Sequence, residues 1–213
     1  MAESVEATKS KILESAKVEF LEKGFMNASL RTIASNAGLT TGAMYRHFKD
    51  KDDLFCALVD EAIEVSTTLI TSSGVAFHEQ SPSSGIGVEH MQEESRKTDD
   101  FLNYIYSHFD AFTLLLTKAG GSTHENFLDE IADLYTETVL KIIDWMKEKF
   151  NVTKEIDRMS IHVLANTIIN AYSEIIVHKM KKEEAELFLS NIQDFFHFGF
   201  MHMLGLPCDV HEH

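Results

Sequence analysis

Apolar side chains recur every three or four residues over most of this chain, and that spacing predicts amphipathic helices rather than strands. In the first such stretch, Ile12, Ala16 and Phe20 share one helix face. The 213 residues include two prolines, Pro82 and Pro207, so long stretches run uninterrupted, and a β-rich chain would need more turn residues. We therefore expect an all-α protein.

The predicted helices fall into two groups. The first four cover about residues 5–23, 30–37, 40–47 and 50–71. Four longer helices cover about residues 99–118, 124–150, 154–180 and 183–204. Ser29, Thr40 and Asp50 are suited to cap the second, third and fourth helices, and Gly38 is suited to end the second. The Ser- and Gly-rich stretch of about residues 72–87 is the predicted linker between the groups, either a loop or a weakly helical crossing.

Charge is distributed unevenly along the chain, whose formal net charge is −15. Residues 1–53 hold eight basic and eight acidic side chains, so the whole excess of negative charge belongs to residues 54–213. Within residues 24–51, four basic side chains face one acidic side chain, a net charge of +3. This asymmetry favours an anionic partner for the N-terminal segment, although a neutral segment of this length also arises by chance.

The second and third predicted helices, with the turn at Gly38, have the proportions of a helix-turn-helix. Met44 and Phe48 account for the inward face of the third helix. Its outward face begins with small residues, which let the backbone approach a base edge closely. Tyr45 and His47 follow and are side chains that grip phosphate. The alternative is a helical hairpin that is packed for structure alone.

About fifty continuous residues carry several motifs whose spacings hold together. They are Thr8-x-x-x-Ile12-Leu13, Gly24-Phe25, Ser29-Leu30-Arg31-Thr32-Ile33-Ala34, Ala37-Gly38-Leu39-Thr40-Thr41-Gly42-Ala43-Met44-Tyr45-Arg46-His47-Phe48 and Lys51-Asp52-Asp53-Leu54-Phe55. These motifs resemble the tetracycline-repressor (TetR) family of bacterial regulators. The resemblance implies an all-α homodimer that binds double-stranded operator DNA and releases it when a small-molecule effector enters its C-terminal domain.

The resemblance divides the chain into a three-helix helix-turn-helix DNA-binding domain at residues 1–50 and a helical bundle for ligand binding and dimerisation at residues 51–213. We expect a repressor that binds a palindromic operator. Thr40 and Thr41 stand where many family members carry a serine followed by another residue, so the operator sequence is not predicted. The predicted DNA-binding residues are Ser29, Arg31, Thr40, Thr41, Gly42, Ala43, Tyr45, Arg46, His47 and Lys51.

The helix predicted at about residues 154–180 is apolar on most sides, but one polar stripe runs along it: His162, Asn166, Asn170, Ser173 and Glu174. The stripe is either a solvated edge, a set of residues bonded to each other across a dimer axis, or the polar wall of an effector cavity. The charge of −15 favours an uncharged or cationic, partly aromatic effector. The predicted effector-binding residues are Tyr104, His108, Phe112, Tyr135, His162, Asn166 and Asn170.

An apolar stripe on the last predicted helix indicates the dimer interface, in which the last two helices of each subunit form a four-helix bundle. Gly199 allows close approach of two helices. The predicted interface residues are Phe188, Ile192, Phe195, Phe196, Gly199 and Met203.

Other classes of protein fit the sequence less well. Eleven histidines are scattered without metal-ligand spacing and two cysteines lie far apart, so we expect no metal and no cofactor, and Cys56 is predicted to be a small buried hydrophobe. No catalytic motif predicts an enzyme. No signal peptide or membrane span is predicted, so we expect a cytoplasmic protein without membrane contact. The remaining alternative is a helical protein-binding or scaffold module without operator binding.

Overall fold

The computed structural model describes residues 2–79 and 88–206, with side chains at residues 5–72 and 96–206. These residues form helices and no strand, which confirms the all-α class. The helices are α1 (Ala2–Asn27), α2 (Leu30–Asn36), α3 (Thr41–Met44), α4 (Lys51–Glu79), α5 (Val88–Ser107), α6 (Phe109–Thr117), α7 (Phe127–Phe150), α8 (Arg158–Val177) and α9 (Lys182–Leu204). None of them is both long and apolar enough to traverse a bilayer.

The fourth helix, predicted to end at about residue 71, continues to Glu79, so the first half of the predicted linker is helical and not a loop. Thr71 Oγ1 donates to the carbonyl of Thr67 at 3.0 Å, and Ser72 Oγ donates to that of Leu69 at 3.0 Å. Hydroxyls that bond to the preceding turn are satisfied inside a helix and do not have to end it. Residues 80–87 lie outside the described part of the chain.

The helix predicted at about residues 99–118 is two helices in the structure. α5 extends from Val88 to Ser107, and α6 begins at Phe109. His108 lies between them with φ −123° and ψ 32°, which is not helical geometry. α7 and α8 begin three or four residues later than predicted, and Asp157 caps α8 by accepting the Ser160 N–H at 2.9 Å.

By packing, the chain divides into two units. One comprises the chain up to residue 65 together with residues 107–127, and the other comprises the rest. In the first unit, three phenylalanine rings pack with centroids 5.2–6.0 Å apart: Phe20, Phe25 and Phe55. The predicted boundary at residue 50 concerns function and stays a prediction.

The second unit has two clusters of buried apolar side chains. One contains residues of α7, α8 and α9, among them Trp145, Met146 and Ile161. The other contains residues of α5, α8 and α9, among them Leu102 and Ile175. The two clusters meet α8 near its start and near its end, since Ile161 and Ile175 are about four helical turns apart on nearly the same face. The helix is not buried on all sides, because Val163 and Val177 are 55 % and 52 % exposed.

Candidate DNA-binding surface

Two short helices, α2 and α3, meet at a tight turn in the first unit. Ser29 Oγ accepts a backbone N–H of the first turn of α2 at 3.3 Å, and Thr40 Oγ1 does the same for α3 at 3.2 Å. Gly38 has φ +73°, a left-handed conformation that costs glycine least. The predicted caps and turn are thus present, and they fix the direction in which α3 leaves α2.

The inner side of this pair is held by apolar burial. Met44 and Phe48 are 1 % and 3 % exposed, and Ile33 of α2 is fully buried. Ser15 Oγ of α1 also donates to the Ile33 carbonyl at 2.9 Å. Since α3 is only one turn long, its position depends on these contacts rather than on its own helical stability.

The outer side of α3 is open. Gly42, Tyr45 and Arg46 are exposed, with 49 % of Tyr45 accessible, while Thr41 and Ala43 are half-buried. Apart from the backbone of the helix itself and the two neighbouring residues, no atom of the described residues lies within 4 Å of the point that a Cβ on Gly42 would occupy. A base edge or a phosphate can therefore approach the helix backbone directly at this position.

The other predicted DNA-binding residues lie in the same unit. Arg31 on α2 is exposed, and His47 is half-buried after the end of α3. The oxygens of Ser29 and Thr40 are already acceptors in the two caps, but each hydroxyl keeps its hydrogen for a phosphate or base acceptor. Contact of any of them with DNA stays a prediction.

Lys51 has a structural contact that the sequence did not indicate. Its ammonium donates to the carbonyls of Met26 at 3.1 Å and Ala28 at 3.5 Å, and it lies 4.6 Å from the centroid of the Phe25 ring. It therefore ties the start of α4 to the end of α1 and to the connection that follows it. One of its three donors remains for a phosphate.

Glu19 holds the start of α2, a role that the sequence did not indicate. It is 7 % exposed, and its carboxylate accepts the backbone N–H of Ser29 at 3.0 Å. A charge-assisted bond of this kind is stronger than a neutral one, so it fixes the start of α2. The available signal was an acidic residue beside Phe20, on the apolar stripe of α1.

The family model described as "Bacterial regulatory proteins, tetR family" matches residues 12–58, from α1 through the two short helices into α4. This segment of the chain is therefore similar to the N-terminal domain of TetR-family regulators. The resemblance predicted from the motifs is thereby confirmed. TetR-family proteins are regulators of transcription and not enzymes, which also agrees with the prediction.

Two curated relatives and one solved structure of another protein illustrate what this chain is similar to. An "uncharacterized HTH-type transcriptional regulator" of Haemophilus influenzae is 28 % identical over 134 residues, which cover 53 % of this chain and 55 % of the relative. The HTH-type transcriptional repressor BepR of Brucella suis is 44 % identical over 61 residues, 29 % of either protein. The chain thus spans about half, or less, of the curated relatives it matches.

The solved structure is that of a γ-butyrolactone receptor, an ArpA-like protein. It superposes with a TM-score of 0.56 at 20 % identity and covers 89 % of this chain and 87 % of the other. At this level of identity the likeness concerns the fold, and it extends over most of the chain.

The predicted effector-binding residues are divided between the two units. His108 and Phe112 belong to the first unit, and Phe112 is buried there. The other five belong to the second: Tyr104, Tyr135, His162, Asn166 and Asn170. Whether any of them contacts an effector stays a prediction.

The polar stripe on α8 is bonded along its own helix. Asn166 Nδ2 lies 3.1 Å from His162 Nε2 and donates to the His162 carbonyl at 3.0 Å. Asn170 Nδ2 donates to the Asn166 carbonyl at 2.8 Å, and the Ser173 hydroxyl donates to that of Asn170 at 2.8 Å. The amide oxygens of both asparagines remain as acceptors for a partner.

A surface pocket of about 380 Å³ opens beside this stripe, lined by Asp133, Arg158, Met159 and His162. His162 Nδ1 is 3.5 Å from Asp133 Oδ1. The pocket therefore offers one imidazole, one carboxylate and one guanidinium to a small polar molecule.

The predicted dimer stripe lies on α9, and part of it is open in the single chain. Phe195 is 72 % exposed and packs against Phe196 with ring centroids 5.5 Å apart. Beyond Gly199's own neighbours and the α9 backbone, no atom in the described part of the chain lies within 4 Å of a Cβ built on Gly199. Phe188, Ile192 and Met203 are half-buried. Association through this stripe stays a prediction.

The surroundings of Cys56 differ from those predicted for a buried hydrophobe. The thiol is half-buried, and its Sγ lies 3.4 Å from His124 Nε2 and 3.9 Å from Asp52 Oδ2. Burial, and then the charges of Asp52, Asp60 and Asp53, raise the pKa of Cys56 to about 11. This environment could not be predicted from local spacing, because His124 is 68 residues away from Cys56 in the sequence.

Proposed function

We propose that this chain is a homodimeric transcriptional repressor that binds a palindromic operator and releases it when a small molecule binds to the C-terminal domain. The observation that carries the proposal is the exposed outer face of α3, with Gly42, Tyr45 and Arg46 held outward by buried Met44 and Phe48. The net charge of +3 on residues 24–51 supports a polyanionic partner for the same face.

The DNA part is tested by the salt dependence of binding to a fragment of the chain's own promoter. Tyr45→Ala and Arg46→Ala should weaken binding to all sequences and lower the salt slope by about one unit for each lost phosphate contact. Thr41 substitutions should instead change sequence preference. The control is Lys154→Ala, which removes an exposed charge in the other unit and should change neither the affinity for DNA nor the salt slope. Wild-type protein that shows no salt-dependent binding would favour the scaffold alternative.

The dimer part rests on α9. Phe195 and Leu187 are 72 % and 66 % exposed, which is a large apolar area for a single chain to leave in water. A two-fold dimer would present two α3 helices to half-sites about 34–36 Å apart or a multiple of that distance, as a palindrome requires. Gly199→Leu should shift sedimentation towards the monomer. Wild-type protein that sediments as a monomer at micromolar concentration contradicts this part.

The effector part rests on the half-buried polar groups of α8 beside the surface pocket. Neutral and cationic aromatic compounds are first screened for the ability to release wild-type protein from operator DNA. The Asn166→Leu variant should then bind the operator with unchanged affinity but should not be released by the active compound. A variant that is released as readily as wild type refutes this site. Because a repressor of bacterial genes works where the chromosome is, we also propose a cytoplasmic location.

A further inference from the structure

Three side chains of the first unit bring a thiol, an imidazole and a carboxylate together at one point of its surface. Cys56 and Asp60 are one helical turn apart on α4, so they share a face. His124 comes from the segment between α6 and α7. One ligand atom from each lies within 4.8 Å of the other two. We propose that Cys56, Asp60 and His124 form a binding site for a divalent transition-metal ion, with Zn²⁺ as the best fit.

Two of the three distances within the cluster agree with tetrahedral coordination, and the third, from Cys56 Sγ to Asp60, is at most 4.8 Å. Zn²⁺ bonds of about 2.3 Å to sulfur and about 2.0–2.2 Å to nitrogen and oxygen imply tetrahedron edges of about 3.5 Å from sulfur to nitrogen and about 3.4 Å from nitrogen to oxygen. Cys56 Sγ is 3.4 Å from His124 Nε2, which is 3.5 Å from Asp60 Oδ1. An ion can therefore enter with small side-chain adjustments.

The segment that carries His124 is held against α4 without help from the three proposed ligands. Asp52 Oδ1 accepts the Thr123 N–H at 2.8 Å, and the Thr123 hydroxyl donates to the same carboxylate. The His124 N–H donates to Ser122 Oγ at 3.1 Å. The pairing of α4 with this segment is thus built before a metal arrives, which reduces the ordering cost of binding.

The chemistry of the donor set points to a borderline-soft ion. Thiolate and imidazole select Zn²⁺ and its spectroscopic substitute Co²⁺ over Mg²⁺ or Ca²⁺, which prefer oxygen ligands only. Three protein ligands leave a fourth position for water, and the site is accessible because the Asp60 side chain is 64 % exposed. Asp52 and Asp53 add negative charge near the thiol, which favours a cation.

The test is titration of the full-length, tag-free protein with Co²⁺, followed by displacement with Zn²⁺, in the absence of DNA. We expect one equivalent of Co²⁺ with a thiolate charge-transfer band, abolished in Cys56→Ser. Asp60→Asn changes an exposed side chain, so it leaves the fold intact and should weaken binding by about tenfold or more. Cys208→Ser is the matched control, because it removes the other cysteine and should leave the band unchanged.

Two results would overturn the proposal. One is the absence of a saturable, one-equivalent thiolate band in wild-type protein whose circular dichroism shows the helical fold. The other is a band that survives Cys56→Ser. In either case the cluster is held by hydrogen bonds alone, and the proposed operator binding is unaffected because the titration involves no DNA.

Discussion

Replacing Lys51 with Met should destabilise the protein even when no DNA is present. The change removes a charge-assisted hydrogen bond of 3.1 Å to the Met26 carbonyl and a weaker one of 3.5 Å to that of Ala28. A hydrogen bond to a charged group is worth about 1.5–3 kcal/mol, and the contact with the Phe25 ring adds about 0.5–1 kcal/mol. Methionine keeps the aliphatic stem and its packing, which offsets part of this loss. We therefore expect the free energy of unfolding to decrease by roughly 2 kcal/mol.

The assay is urea unfolding at fixed protein concentration, with circular dichroism as the readout. Lys49→Met is the control, because Lys49 is 87 % exposed and its only ion pair is at 3.9 Å to Asp50 among the described residues. Exposed pairs of that kind contribute about 0–1 kcal/mol, so Lys49→Met should be nearly neutral. If Lys51→Met and Lys49→Met unfold at the same urea concentration, the tie between α4 and the segment before α2 contributes nothing and the reasoning fails.

Three further predictions concern stability. Thr40→Ala removes the α3 cap and should lower the free energy of unfolding by about 1 kcal/mol; an unchanged urea midpoint would contradict that role. Tyr106→Phe should also cost about 1 kcal/mol, since Tyr106 Oη donates to the Met180 carbonyl at 2.8 Å; an equally stable variant would show the bond to be without net value. Burial lowers the pKa of His197 from its usual value of 6.5, although the charge of Asp194 opposes this. Between the folded and unfolded pKa values the unfolded chain binds more protons, so the free energy of unfolding should decrease as the pH is lowered through that range. His197→Gln should flatten this part of the pH profile, and an identical profile would refute the assignment.

The parts of the fold that the sequence predicted correctly depend on local chemistry. Ser29, Thr40 and Gly38 each act within one turn of their own position, so residue type was sufficient. The break at His108 and the continuation of α4 past Ser72 depend on how the whole helix packs or bonds, and propensity alone could not predict them.

The candidate sites show the same division. The outward face of α3 followed from its inward face, because a short helix with Met44 and Phe48 buried must turn its other side out. The direction of the Lys51 ammonium and the burial of Glu19 could not be predicted, since their partners are backbone groups 10 to 25 residues away. The meeting of Cys56 with His124 requires the chain to return to α4 after 68 residues.

The segment before α2 is held through its backbone, and this has a consequence for sequence variation. Glu19 contacts the N–H of Ser29, and Lys51 contacts the carbonyls of Met26 and Ala28. Backbone groups are present whatever the side chain, and Met26 itself is 70 % exposed. Saturation mutagenesis should therefore find position 26 permissive and positions 19 and 51 restrictive. Sequence variation at this end of α1 leaves intact the two charged contacts that hold the starts of α2 and α4.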